Sequence, residues 1–368
     1  MATQTIIIGN QNVTASSGAF ENLDPDDIFD DPIIQRVTRG LFTQNSPTLS
    51  TFFTSSAQSA SSGQYYYDVY DEPASDEHRE VQFSVAYGHA LGSGSLVINA
   101  ASNFAGSQDT PSRAIYAQYV QTLLPSTQQK FSFIGLGASG VAVDENIIYV
   151  INFKRGRIKD LLDAGNFELN LRSGSNQLRL IDDSRDTLQA GNQNSEFFNV
   201  VSGSLANGIA IAAATRTYGR VYPERGVIVL SGTLLGSSSI IPVLNTNTGS
   251  NVNGDNAFKL FEAISSSAAN DSTNGAFKGR NVEEVKSTYY FLRAKNTKFN
   301  FSNNPSYVSS SGGINVLRQP TFVNNPKTYI TTVGLYNTGS EMLAVGKLSK
   351  PILKSFGNEI LLKVKLDF

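Results

Sequence analysis

The stretch EILLKVKLDF, residues 359–368, alternates without a break: Ile360, Leu362, Val364, Leu366 and Phe368 fall on one side, Lys363, Lys365 and Asp367 on the other. A period of two belongs to a strand with one face in a core and the other in water, and it cannot be wrapped at 3.6 residues per turn without scattering the apolar residues. The pattern recurs upstream. VQFSVAYGHA puts Val81, Phe83, Val85 and Tyr87 on one face, and SLVINAA, KFSFI, NIIYVINF, FELNLRSG and LRLIDD read as further strands. GRVYPERGVIVLSGTLL reads as strand, a turn over Pro223–Gly226, and strand; YITTVGLY and EMLAVGKL form a hairpin through the turn at Asn337–Ser340, and STYYFLRAKNTKFNF alternates bulky residues.

Helical signals are fewer. Thr110 is placed to cap a helix that has Pro111 at its first position, carries Ile115, Tyr119, Thr122 and Leu123 on one face, and stops before Pro125. RIKDLLDAG reads as a short amphipathic turn ending on Gly165, Phe258, Phe261, Ile264 and Ser265 suggest a further helix, and a short one is expected from Pro32 to Leu41. The expected fold is mainly β (α+β): a multi-domain protein of antiparallel, sandwich-like sheets with a few short helices and an extended N-terminal arm. Its expected divisions are an arm over 1–75, a β-rich domain with inserted helices over 76–245, and a C-terminal domain over 246–368 that begins with a helix. The aperiodic linker LNTNTGSNVNGDN marks the last boundary.

A chain of 368 residues can bury a core without staples, and it has no cysteine, which removes disulfides, thiolate metal sites and cysteine nucleophiles. Charged residues make up only 16% and the net charge is −2, a weak basis for binding nucleic acid. No run approaches the roughly 20 apolar residues of a membrane span. The first residues lack a basic leader, so no secretory signal is expected.

Motifs for chemistry are sparse. GLGASG, 135–140, has dinucleotide-loop spacing but is followed by strand-like VAVDENIIYV rather than a helix, so it reads as a loop between strands. His78 and His89 are the only histidines and have no chelating spacing; no G-x-S-x-G elbow or P-loop occurs. Asp24, Asp26, Asp27, Asp30 and Asp31 depart from a calcium loop and read as helix-start charges. Asp182 and Asp183, with Glu224, are the carboxylates that would have to face one another in a glycosidase. No catalytic residue, cofactor or metal is expected, and the chain is not expected to be an enzyme.

Aromatic residues in polar surroundings are the expected contact points: Phe29, Phe42, Phe52, Phe53, Tyr65, Tyr66, Tyr67, Phe301, Tyr307, Phe322 and Tyr329. The last four flank two Asn-Asn-Pro corners, 303–305 and 324–326, where proline restricts both itself and the residue before it, so each should end a strand and be pinned to a sheet. TIIIG and ILLKVKLDF are candidate edges for strand addition between subunits.

The strings VEEVKSTYYFLRAKNTKFNFSNNPSYV and FVNNPKTYITTVGLYNTGSEMLAVGKLSKPILKSFGNEILLKVKLDF resemble a structural protein family of T-even-like contractile-tailed bacteriophages, especially the myoviruses of cyanobacteria. SRAIYAQYVQTLL, IIYVINFKRGRIKDLLDAGNFELNL and RVYPERGVIVL resemble other blocks of that family, so the likeness runs over roughly residues 80 to 368. The resemblance implies a virion structural protein of the tail, a baseplate wedge or peripheral component, assembled in the host cytoplasm in multiple copies with other tail proteins. A neck, tail-terminator or capsid-decoration component is the alternative within that class. A host-glycan or receptor-binding module is the alternative outside it, with a glycan depolymerase behind. The family carries over no single site residue.

Overall fold

The computed structural model describes residues 5–8, 20–31, 34–54, 66–95, 110–137, 140–185, 196–241, 255–270, 277–302, 304–311, 314–337, 339 and 341–367. The chain folds as two compact units, Arg36–Glu283 and a smaller one formed by Met1–Gln35 with Glu284–Phe368, so the larger is an insertion in the sequence of the smaller. In chain order, β1 (Thr5–Ile8), β2 (Phe20–Asn22) and β3 (Ile28–Asp30) come first. There follow β4 (Gln35–Gly40), β5 (Thr48–Leu49), β6 (Phe53–Thr54), β7 (Tyr66–Tyr70), β8 (Val81–His89), α1 (Pro111–Leu123), β9 (Phe131–Ile134), β10 (Ala142–Glu145), β11 (Ile147–Phe153), α2 (Arg155–Ile158) and β12 (Leu161–Leu162). Next are β13 (Glu168–Ser173), β14 (Asn176–Asp182), β15 (Phe198–Ser204), β16 (Gly208–Ile209), β17 (Gly219–Tyr222), β18 (Val227–Ser231), α3 (Gly232–Ser237), α4 (Asp255–Asn270), β19 (Phe277–Lys278) and β20 (Arg280–Val285). The chain ends through β21 (Ser287–Ala294), β22 (Val308–Ser311), β23 (Ile314–Leu317), α5 (Thr321–Asn324), β24 (Lys327–Tyr336), β25 (Met342–Ser355) and β26 (Ile360–Asp367).

The larger unit is built on one antiparallel sheet in the order β5-β19-β13-β14-β15-β17-β18-β11-β8-β7-β6, with β16 beside β15, and the pair β9-β10 stands apart from it. Laid flat, eleven strands at about 4.8 Å spacing would put the outer two about 48 Å apart. Yet β5 and β6 are separated by only Ser50, Thr51 and Phe52, and four residue steps span at most about 14 Å. The sheet therefore has to curl into a half-barrel. Helix α4 lies in the curl, touching β13 toward one end of the sheet and β7 and β8 toward the other. Phe277 sits there with its ring against Phe42, Phe83, Phe153 and Phe167 at 5.4–5.6 Å between centroids.

The strands expected at VQFSVAYGHA, KFSFI, NIIYVINF, FELNLRSG, LRLIDD and GRVYPERGVIVL form, whereas SLVINAA beyond Ser95 lies outside the described residues. Helix α1 begins at Pro111 with Thr110 at the cap position, although the Thr110 hydroxyl meets Ser112 Oγ (3.3 Å) rather than a backbone N–H. The buried face of α1 is turned from the expected one. Tyr116, Val120 and Leu123 are buried, Ile115 and Tyr119 are half-buried, and Thr122 is exposed. RIKDLLDAG does not form the expected amphipathic turn: only Arg157 and Ile158 are helical, ending the single turn α2, Leu161 and Leu162 form the short strand β12, and Gly165 takes φ +83° beyond it.

Three expectations about organisation change. The helix expected over Pro32–Leu41 is the strand β4, in a three-stranded sheet ordered β12-β20-β4. Sheet pairing gives its backbone partners at once, whereas a helix that short has a costly nucleus and few bonds to follow it. Helix α4, expected to open a C-terminal domain, buries Leu260, Phe261 and Ile264 in the core of the larger unit. The polar linker before it lies outside the described residues. The boundary expected at 75/76 falls inside the larger unit, because β5, β6 and β7 are strands of its sheet rather than parts of a tether.

The smaller unit has sheets ordered β2-β1-β24-β25 and β26-β21-β3, and the hairpin β22-β23. Leu23, Tyr290, Leu292, Ala294, Ile330, Val333, Leu335 and Leu362 form its core. Strand β26 keeps the predicted alternation: Leu362 is buried, Ile360, Val364 and Leu366 are half-buried, and Leu361, Lys363, Lys365 and Asp367 are exposed. The TIIIG segment pairs on both sides within this chain, with β2 and β24, so it is not a free edge.

Candidate functional site

The two Asn-Asn-Pro corners have different local jobs. In the first, Asn304 O accepts from Tyr307 N (2.8 Å) while Asn304 Oδ1 accepts from Ser306 N (3.0 Å), a turn with Pro305 at its second position. In the second, Asn325 N donates to Thr321 O (3.1 Å) and closes α5, which Pro326 prevents from continuing. Neither corner ends a strand as expected. Their flanking aromatics instead bind the corners to each other: Tyr307 stacks on Phe322 with centroids 4.7 Å apart, and Phe301 meets Tyr307 edge-on at 5.7 Å. Tyr307 is buried and Phe322 half-buried, while Phe301 keeps 57% of its surface in water.

Tyr329 is also exposed, and it lies opposite exposed Leu353 in the β24–β25 pairing. Along β25 the even positions Ala344, Leu348 and Ile352 pack on the core, which directs Leu343, Val345 and Leu353 outward. On the second sheet Phe29 of β3 stands beside Tyr289, Leu361 of β26 is exposed, and the Lys363 ammonium lies 3.9 Å from the Tyr289 ring centre. Twelve of the seventeen large apolar side chains exposed among the described residues belong to this smaller unit.

The structure separates the remaining predicted contact residues. Phe42 and Tyr67 are buried, against Phe277 and against Phe258 of α4 at 5.3 Å respectively, and so are core rather than interface. The closing of the sheet around α4 covers them. Phe52 and Phe53 are half-buried, with Phe52 packed on the same core. Tyr66 is exposed and, with Ile115, Gln118, Tyr119 and Asn152, lines a groove of about 460 Å³ between α1 and the sheet. Tyr65 lies outside the described residues.

The carboxylates do not converge. Asp182 is buried, taking hydrogen bonds from Gly165 N (2.9 Å) and from the N–H (3.1 Å) and hydroxyl of Ser184; burial nevertheless pushes its carboxyl above the usual range. Asp183 is raised for the same reason and is held by Asn199, through N–H and Nδ2 at 2.9 Å each, while Glu224 is exposed in the β17–β18 turn. The early aspartates open a 3-10 turn, Pro25–Asp27, rather than a helix, and Asp30 accepts from Thr288 Oγ1 at 2.7 Å. Among the described residues no group of three or more His, Asp or Glu is arranged to hold a metal, and no helix is long and apolar enough to cross a membrane. His78 is exposed; His89 ends β8, accepts from Leu91 N at Nδ1 (3.0 Å), and burial pulls its imidazole below the usual range. GLGASG joins β9 to β10 and opens no helix.

Sequence reading missed Met342, Leu343, Val345 and Leu361 as surface residues. A signal was present: Met342-Leu343-Ala344-Val345 is apolar on both parities, so a strand there must turn apolar side chains outward whichever face it buries. No protein-family model matches the chain, and neither curated proteins nor solved structures include a significant match.

Proposed function

We propose that this chain is a structural subunit of a contractile phage tail, a baseplate component of the wedge or its periphery, carried in the virion and built into it in the host cytoplasm. Two things support the reading: the sequence resemblance over residues 80 to 368, and the concentration of exposed apolar side chains on the smaller unit. The second observation carries it. A protein that keeps one unit's apolar residues within a curled sheet and exposes another's has a surface suited to burial against a neighbour. In such a role the work is mechanical: sheet faces and loop contacts hold the assembled state and rearrange when the tail contracts.

The test is a density map of the purified particle with this chain located in it, alongside its stoichiometry by mass spectrometry. A fixed copy number at the baseplate is expected. Placement at the neck or on the capsid would move the subunit within the virion, and absence from purified particles would end the reading.

A further inference from the structure

Across the chain, basic and acidic residues nearly cancel, 29 against 31. One cleft of the larger unit departs from that balance. It has a volume of about 380 Å³, and Arg39, Lys154, Arg157 and Lys159 line it against the single carboxylate of Glu80. We propose that this cleft is an oxyanion-binding site for a phosphate or carboxylate group borne on a small polar molecule, such as a phosphorylated or carboxylated sugar. The site is independent of the assembly reading, because none of its residues belongs to the smaller unit.

Its cations are arranged in two ways. Arg157 is fixed: Nε donates to Val81 O (2.8 Å), Nη2 to Thr43 Oγ1 (3.1 Å) and to Glu80 Oε2 (2.5 Å). Thr43 is in turn held by fully buried Gln82, which donates from Nε2 to Thr43 Oγ1 (2.6 Å) and accepts from Thr43 N (3.2 Å). Asn281 Nδ2 donates to Arg157 O, so both ends of this residue are anchored. Arg39 is shared with Glu283 at 3.6 Å, whereas the ammonium groups of Lys154 and Lys159 have no hydrogen-bond or ion-pair partner among the described residues. A rigid guanidinium beside two uncommitted ammonium groups suits an oxyanion, because charge-assisted donors are available without reorganising the wall.

The backbone at the rim points the same way. Five described non-glycine residues have positive φ, and three are here: Gln44 at 57°, Asn45 at 61° and Lys159 at 59°. Asn45 and Lys159 line the cleft. Such conformations persist where surrounding structure imposes them, and they gather at ligand sites. The volume argues for more than a bare ion, since it lies in the lower part of the roughly 300–1,000 Å³ range of small-molecule pockets. Around the anion, Glu80 can accept from hydroxyls, and Asn45, whose Oδ1 takes Gly40 N (2.7 Å), offers its amide nitrogen.

Calorimetric titration of the full chain tests the assignment, with glucose 6-phosphate, glucuronate, inorganic phosphate and glucose as ligands. Saturable binding of glucose 6-phosphate or glucuronate is expected, with phosphate weaker and glucose silent. Affinity should fall by about tenfold or more in the Lys154→Gln/Lys159→Gly double variant. The glycine is chosen because it tolerates the positive φ, and thermal melting reports whether the variant folds. Should it not fold, the native chain still decides: binding must weaken as salt rises from about 50 to about 500 mM. Additional binding of alginate would assign the anion to a polymer chain and its absence to a free small molecule, and either result keeps the site. No binding of either acidic sugar, glucose binding as tightly as its phosphate, tighter binding of a thymidine oligonucleotide, or undiminished affinity in the folded variant would overturn it.

Discussion

Tyr307 and Phe322 stack with ring centroids 4.7 Å apart and planes 13° from parallel, joining two Asn-Pro corners that the sequence places about twenty residues apart. The Tyr307 hydroxyl also donates to Asn300 O at 3.3 Å, so the stack ties the second corner to the loop before the first. Phe322→Ala should lower the stability of the smaller unit by about 1–3 kcal/mol, and Phe322→Leu, which keeps apolar area but loses the stack, by about 0.5–1.5 kcal/mol. Urea unfolding followed by tyrosine fluorescence measures both. An alanine variant as stable as the native chain would show that the corners hold without the ring.

Gly226 closes the β17–β18 turn at φ +64°, and a Cβ there would overlap Ile158 Cδ1 of α2. Gly208 has a similar φ, +76°, but open space around it. The two alanine variants therefore separate backbone strain from overpacking. Gly208→Ala should cost about 1–2 kcal/mol and Gly226→Ala about 2–4 kcal/mol. Comparison of their melting curves checks the difference, and equal losses would mean that Ile158 moves aside freely.

The pH dependence of stability should carry the mark of Asp182. Burial raises its carboxyl despite the bonds from Gly165 and Ser184, so the folded chain holds this proton more tightly than the unfolded chain does. The resulting stabilisation is complete below the unfolded value of about 3.9 and is lost as pH rises through the folded value. Asp182→Asn removes this component while Asp183, also raised by burial, remains. The native chain should therefore gain on the variant between about pH 7 and about pH 4, by no more than about 1.4 kcal/mol per pH unit. Urea midpoints of the two proteins across that range give the comparison; a constant difference would show that Asp182 titrates alike in both states.

Local order was legible where one face of an element is buried and the other is wet. Strand β26 and the hairpin β24–β25 follow directly from alternation, and α4 follows from the spacing of Phe258, Phe261 and Ile264. Long-range closure was not. Phe42 and Tyr67 sit in polar sequence and read as surface anchors, but they become core when the sheet curls around α4, and no local period encodes that curl. The cationic cleft was hidden for the same reason: Arg39, Glu80, Arg157 and Asn281 come from four distant stretches. The apolar surface of β25 was readable in principle, because its apolar residues occupy both parities. Alternation elsewhere drew attention to the buried face alone.

The open edge of β25 is uneven, and under the proposed tail role that unevenness predicts where a neighbouring subunit would dock. Lys347, Lys350 and Pro351 guard its later part, with charge and a missing N–H that discourage another strand. Met342, Leu343 and Val345 in the earlier part have more than half of their surface exposed and no charged residue among them. Leu343→Glu/Val345→Glu should leave folding nearly unchanged, within about 0.5 kcal/mol, since both side chains already face water. Burial of two such side chains against a partner is worth about 3–6 kcal/mol, so the same variant should weaken assembly by about 100-fold or more. Lys350→Glu, on the guarded part, should change assembly far less. Incorporation of each variant into particles, measured by quantitative mass spectrometry against the native chain in the same infected cells, distinguishes these outcomes. Normal incorporation of the double glutamate variant would remove this edge from the contact surface.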